Sequence, residues 1–181
     1  MANGTPLVGI LMGSDSDLPV MERAAKALEE FEVPYEISVI SAHRSPNLAR
    51  EYAVSAAERG LKVLLCGAGR AAHLAGVVAA HTTLPVLGVP IDGGPLNGVD
   101  ALYATVQMPP GIPVGTFSIG THGAQNAALF AVAILALTDA SLAERLADYR
   151  RSLEEGVQKK NARLHAVGWR HYGSESGGKN G

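Results

Sequence analysis

Leu7-Val8-Gly9-Ile10-Leu11-Met12-Gly13-Ser14-Asp15-Ser16-Asp17 sets an unbroken apolar run directly against a cluster of small and polar residues. Such a run is expected of a strand buried on both faces, where neither face can carry polar groups. The pattern then becomes helical. Met21, Ala24, Ala25, Leu28 and Phe31 recur on one side, with Glu22, Lys26, Glu29 and Glu30 on the other.

The same alternation runs through the rest of the chain. Residues 35–40 read as a second strand, followed by a helix with Ser45 as N-cap and Pro46 at its first position. Leu48, Ala49, Tyr52, Ala53, Ala56 and Ala57 continue that helix, and Gly60 can end it. Residues 62–66 read as the third strand, ahead of Gly67-Ala68-Gly69-Arg70 and a small-residue helix over 71–80. A fourth strand at 85–89 leads through Gly93-Gly94-Pro95 to a helix at 99–106. The fifth strand is expected at 114–119, and an alanine-rich helix at 124–137. A last helix starts near Asp139 or Ala140, with Leu142, Leu146, Tyr149, Leu153 and Val157 on one stripe.

Strands separated by helices imply a doubly wound parallel sheet of about five strands in a three-layer α/β/α arrangement. Residues 1–160 read as one catalytic domain and 161–181 as a C-terminal extension, with disorder expected from about Gly173. Ligands of such sheets bind beyond the C-terminal ends of the strands. The loops after strands one, two and three are therefore the candidate site.

Composition narrows the function. Aromatics make up 5% of the 181 residues, so Ala, Val, Leu and Ile must build the core. A net charge of −2 gives no footprint for nucleic acid or an anionic membrane. No run approaches the roughly 18 apolar residues of a membrane span. Cys66 alone cannot form an internal disulfide and reads as a buried hydrophobe. With no signal-peptide pattern at the N-terminus, a cytoplasmic protein is expected.

Each strand end has its own chemistry. Gly13 permits a tight turn, Ser14 and Ser16 offer hydroxyls, and Asp15 and Asp17 offer carboxylates at a helix start. Asp17 can accept hydrogen bonds from sugar hydroxyls, while Asp17 or Ser16 can equally be the N-cap. Ser41-Ala42-His43-Arg44 puts a proton-transfer group beside a cation suited to phosphate or carboxylate. Gly67-Ala68-Gly69-Arg70-Ala71-Ala72 fits a loose dinucleotide pattern, but after the third strand rather than the first. His73 lies on the first turns of the next helix, as a site residue or a packing one. The histidines lack metal-site spacing, so no metal is expected, and neither a hydrolase elbow nor a P-loop is present. A non-catalytic nucleotide-binding module and an NAD(P)-dependent oxidoreductase are the competing readings.

Several stretches in one order resemble those of the class I 5-(carboxyamino)imidazole ribonucleotide mutases of purine biosynthesis. They are Met12-Gly13-Ser14-Asp15-Ser16-Asp17, Ser41-Ala42-His43-Arg44-Ser45-Pro46, Gly67-Ala68-Gly69, and Ala71-Ala72-His73-Leu74. Leu84-Pro85-Val86-Leu87-Gly88-Val89-Pro90, Val106-Gln107-Met108-Pro109, Gly111-Ile112-Pro113-Val114 and Asn126-Ala127-Ala128-Leu129 extend the likeness. The resemblance implies a flavodoxin-like sheet, a homo-octamer with active sites near subunit interfaces, and no metal or cofactor. It also implies that an imidazole ribonucleotide is decarboxylated at its exocyclic nitrogen and recarboxylated at ring carbon 4 by trapped carbon dioxide. By resemblance His43 is the general acid and base and His73 a second site histidine. Ser14, Asp17 and Arg44 hold the ribose phosphate. Gly13, Asp15, Ser41, Ala42, Gly67, Ala68, Gly69, Arg70 and Leu74 complete the substrate site. The class I pattern has glycine where this chain has Arg70 and proline where it has Ala75, and His122 also departs from it. Gly69-Arg70 resembles the class II carboxylases, which use free carbon dioxide, so direct carboxylation is the alternative reaction. Arg70 adds a cation and bulk beside the expected carbon dioxide site, unless it turns away to pair with another chain.

Overall fold

The computed structural model describes residues 4–173. Its order is β1 (Val8–Met12), a 3-10 turn (Asp15–Asp17), α1 (Leu18–Glu30), β2 (Tyr35–Val39), α2 (Pro46–Ser55), β3 (Val63–Gly69) and α3 (Leu74–Ala79). Then follow β4 (Val86–Ile91), α4 (Val99–Val106), β5 (Gly115–Thr116), α5 (Thr121–Leu135) and α6 (Ala140–Val167). The strands form one parallel sheet in the order β2-β1-β3-β4-β5. This is the doubly wound, flavodoxin-like arrangement expected.

Alternation along the central strands sorts the core into two layers. Val8, Ile10, Val63, Leu65, Leu87 and Val89 face α1 and α5. Leu11, Leu64, Cys66 and Val86 face α2 and α3. β1 is buried throughout, whereas β2 is an edge strand with no fully buried residue. Alanine carries the helix contacts: Ala24 and Ala27 of α1 share a layer with Ala124, Ala127, Ala128 and Ala131 of α5. Cys66 is buried, and burial pushes its thiol pKa up, as befits an inert core residue.

Several boundaries move for physical reasons. α2 ends at Ser55, and the chain closes through a turn in which Gly60 takes φ +98° and Leu61 N–H donates to the Ala56 carbonyl. α3 begins at Leu74 rather than Ala71, because Arg70 is left-handed and Ala71–His73 form tight turns. β5 is short: only Gly115 and Thr116 pair with β4. β3 and β4 run further than expected, to Gly69 and Ile91, because they pair to their ends.

The stripe on α6 is covered only in part. Leu142 is buried and Leu146 and Tyr149 pack on the core, but Leu153 and Val157 are exposed. The boundary placed at 160/161 falls inside this helix. The disorder expected for the tail falls on residues 174–181, outside the described residues. Trp169 stands beyond the end of α6 and is 74% exposed. Among the described residues no helix is long and apolar enough to cross a membrane.

Gly123, in the first turn of α5, has no space for a side chain, because a Cβ there would overlap the Ser118 carbonyl oxygen. Gly123→Ala is expected to cost about 3 kcal/mol, the upper end for overpacking against an immovable group. Urea unfolding followed by far-UV circular dichroism measures it. An unchanged midpoint would mean that the Ser118 backbone yields freely.

Candidate functional site

β1 and β3 are neighbours although the chain visits β2 between them, so the strand order reverses at this point. A cleft of roughly 550 Å³ opens there. The first loop contributes Gly13, Ser14, Ser16 and Asp17, and the second Ser41, Ala42, His43 and Arg44. The third contributes Ala68, Gly69, Arg70, Ala71 and Leu74, and the fourth strand end adds Gly93.

The first loop is fixed by its own hydrogen bonds. Ser14 is the N-cap of the 3-10 turn: its Oγ accepts from Ser16 N–H at 3.4 Å, and its N–H donates to Asp17 Oδ2 at 3.1 Å. Asp17 sits at the N-cap position of α1 without capping it. Capping therefore belongs to Ser14, not to Asp17 or Ser16. Asp15 is exposed and lies outside the cleft lining, where its carboxylate accepts from Ser14 Oγ and Ser16 N–H. Asp17 is buried. Burial raises its pKa above 3.8, opposed by the Ser14 and Gly13 N–H groups and helped by the Asp15 charge.

In the second loop Ser45 does not cap α2. Its Oγ accepts from Ser41 N–H at 3.1 Å and donates to the Ser41 carbonyl at 2.9 Å, closing the loop on itself. Arg44 Nη2 donates to the Gly13 carbonyl at 3.2 Å, tying this loop to the first. His43 Nε2 lies 2.8 Å from His73 Nδ1, with the rings edge-to-face at 78°. One proton occupies that contact, on either nitrogen. Two imidazolium rings cannot share it, since both nitrogens would then carry hydrogen. His73 thus joins the candidate site only through its contact with His43, at the N-cap of α3 rather than in the cleft wall.

The third loop differs most from expectation. Gly67 is buried inside β3, over Met21 and Ile91, and does not line the cleft. With Gly67 and Gly69 still in the strand and α3 starting only at Leu74, the dinucleotide pattern has no helix start on which to seat a pyrophosphate. Arg70 turns inward to the cleft. It takes φ +54°, a left-handed conformation that costs a side-chain-bearing residue about 1–2 kcal/mol. Its Nε donates to the Gly93 carbonyl at 2.7 Å. Gly93 and Ala71 line the cleft without having been singled out. The glycines after β4 were visible, and β4 adjoins β3, so the strand-end rule reaches them too.

The cleft offers an anion donors and cations, and a proton-transfer pair beside them. Among the described residues no group of three or more His, Cys, Asp or Glu is arranged to hold a metal ion. A model of the AIR carboxylase family matches residues 7–156. The chain is 54% identical over 175 residues to the N5-carboxyaminoimidazole ribonucleotide mutase of Pyrococcus horikoshii, covering 97% of this chain and 98% of that one. It is 50% identical over 167 residues to the phosphoribosylaminoimidazole carboxylase of Saccharomyces cerevisiae, covering 92% of this chain but 29% of that one. The crystal structure of Treponema denticola PurE is similar at a TM-score of 0.76 and 30% identity, covering 88% of this chain and 98% of that one.

Since folding raises the Asp17 pKa above its ordinary 3.8, the folded state prefers the protonated carboxyl. The resulting stabilisation is full below 3.8 and is lost as pH rises through the folded value. Asp17→Asn stays neutral and keeps an oxygen for Ser14 N–H. It should be more stable than the native chain at neutral pH, with the gap closing as pH falls toward 3.8. Urea midpoints across pH test this, and parallel curves for the two proteins would refute it.

Proposed function

Because the chain belongs to the AIR carboxylase family, we infer that it interconverts N5-carboxyaminoimidazole ribonucleotide and 4-carboxy-5-aminoimidazole ribonucleotide. The observation that carries this reading is 48–56% identity over 92–97% of the chain with relatives named for that mutase activity. These relatives favour the mutase over direct carboxylation. The oxidoreductase and the non-catalytic module have no support in the family.

The site residues suit the proposed chemistry. Breaking the exocyclic N–C bond releases carbon dioxide and leaves its electron pair on nitrogen, which takes a proton from His43. Ring carbon 4 then attacks the retained carbon dioxide, and His43 removes the proton from that carbon. With Nε2 engaged by His73, Nδ1 of His43 is the ring nitrogen left for substrate. Ser14 and Arg44 would hold the phosphate, with Asp17 at the ribose. Gly67 would act from below, by leaving room for Met21 under the end of β3. His43 and Arg44 are exposed in the single chain, so a closed pocket calls for a cover.

A homo-octamer is proposed to supply such cover. Val99, Tyr103 and Val106 are exposed at helical spacing along α4, with exposed Leu96 just before it, an apolar stripe left uncovered by the described residues. Light scattering at micromolar concentration should report eight chains, and a monomer would end this part of the reading.

Supplying the N-carboxylated ribonucleotide without bicarbonate should give fast conversion. Aminoimidazole ribonucleotide with bicarbonate should be the poorer substrate pair, and the reverse ranking would assign the direct carboxylase. His43→Asn is expected to lose turnover by at least the roughly 10²–10⁴-fold that a general acid–base group supplies, while still binding nucleotide. Retained turnover would remove His43 from the proton-transfer role.

A further inference from the structure

Residues 92–97 connect β4 to α4 and flank the cleft mouth. Gly93 is exposed, and a Cβ placed on it would meet nothing within 4 Å. The turn bonds of this stretch are local, as from Asn97 N–H to the Gly94 carbonyl at 3.1 Å. Among the described residues, and apart from the turn bond by which Val99 N–H donates to the Leu96 carbonyl at 3.1 Å, the hydrogen bond that links 92–97 to another segment is Arg70 Nε to the Gly93 carbonyl at 2.7 Å. The Arg70 stem also lies over Gly94, where a Cβ would stand 3.5 Å from Arg70 Cγ and Nε. Arg70 has no carboxylate within ion-pairing distance among the described residues. Its side chain is held by this carbonyl rather than by a charge, and its backbone accepts a left-handed φ of +54° to reach it.

We propose that Arg70 is a positioning residue: it clasps the β4–α4 loop against the end of β3, making that loop a fixed wall that keeps carbon dioxide in the cleft between release and recapture. This rests on the mutase reading. The guanidinium does not itself react. Its Nε–H immobilises a carbonyl that otherwise stands free in solvent, and its bulk fills the side of the cleft mouth where glycines alone would leave an opening.

Four variants of the full chain separate the clasp from charge. Arg70→Gly removes the side chain and relieves the left-handed backbone. Arg70→Gln places an amide N–H at the position of Nε with no charge. Arg70→Glu places an oxygen there, facing the Gly93 carbonyl. Arg70→Lys keeps the charge without the Nε–H. Each is given unlabelled N-carboxylated substrate in labelled bicarbonate, and label in product and free aminoimidazole ribonucleotide are counted per turnover.

Escape per turnover is expected to rise at least fivefold in Arg70→Gly and Arg70→Glu, and to stay within twofold of the native chain in Arg70→Gln. Escape unchanged in Arg70→Gly, while the native chain converts substrate, overturns the clasp alone. Escape as high in Arg70→Gln as in Arg70→Gly, with Arg70→Lys restored, assigns the effect to charge and also overturns it. No conversion of the N-carboxylated substrate by the native chain overturns the mutase reading, and the clasp with it.

Discussion

The Gly13 N–H donates to the Gly67 carbonyl at 3.0 Å, carrying the pairing of β1 and β3 one residue past the end of β1. The Gly13 carbonyl in turn accepts from Arg44 at 3.2 Å, so one glycine ties the first loop both to β3 and to the second loop. This is possible only because Gly67 has no side chain: a Cβ there would collide with Met21, which rises from α1 beneath it. On the other side Ile40 N–H donates to the Met12 carbonyl at 2.8 Å, holding the start of the second loop in line. The loops therefore leave the sheet at fixed positions. The geometry of the His43–His73 pair follows from those positions, and such preorganisation is what a proton-transfer site needs.

Much of this was legible in the sequence, for a reason that differs between elements. β1 reads correctly because a strand buried on both faces has no other way to be written. α4 reads correctly because helical spacing persists over Val99–Val106. β5 is shorter than the expected 114–119 because the pattern of a segment shows that it is partly buried, not how many of its residues find a partner. Of the candidate site, the strand-end rule located three loops that line one cleft. It does not distinguish a glycine in the cleft wall from one buried within the strand, and Gly67 is buried over Met21 and Ile91. Nor could it say that the Asp15 carboxylate turns back onto its own loop. The fate of Arg70 depended on a carbonyl 23 residues away, and no local pattern encodes such a meeting.

Family membership and site geometry speak to different questions. The relatives bear on which reaction the chain performs. The geometry bears on what the cleft can offer: the Ser14 hydroxyl and the Arg44 guanidinium on one side, the paired His43 and His73 rings, and the small residues Ala68 and Gly69 at the end of β3. At Arg70, where the resemblance to the class I pattern implies glycine, the backbone is left-handed at φ +54°. The two departures have one origin, since glycine would occupy that conformation without cost and arginine occupies it while gaining the Gly93 carbonyl.

The position of Trp169 has a practical consequence. It is the chain's one tryptophan, and it stands past the end of α6 in solvent, its ring near the Arg170 guanidinium at 5.1 Å. The sheet and the cleft contain no indole. Tryptophan emission from this protein is therefore that of a hydrated ring at the periphery, and it will change little when the core melts or a ligand enters. It will instead shift toward the blue when another surface covers the end of α6. The intrinsic fluorophore reports on the surroundings of the end of α6, far from the buried core.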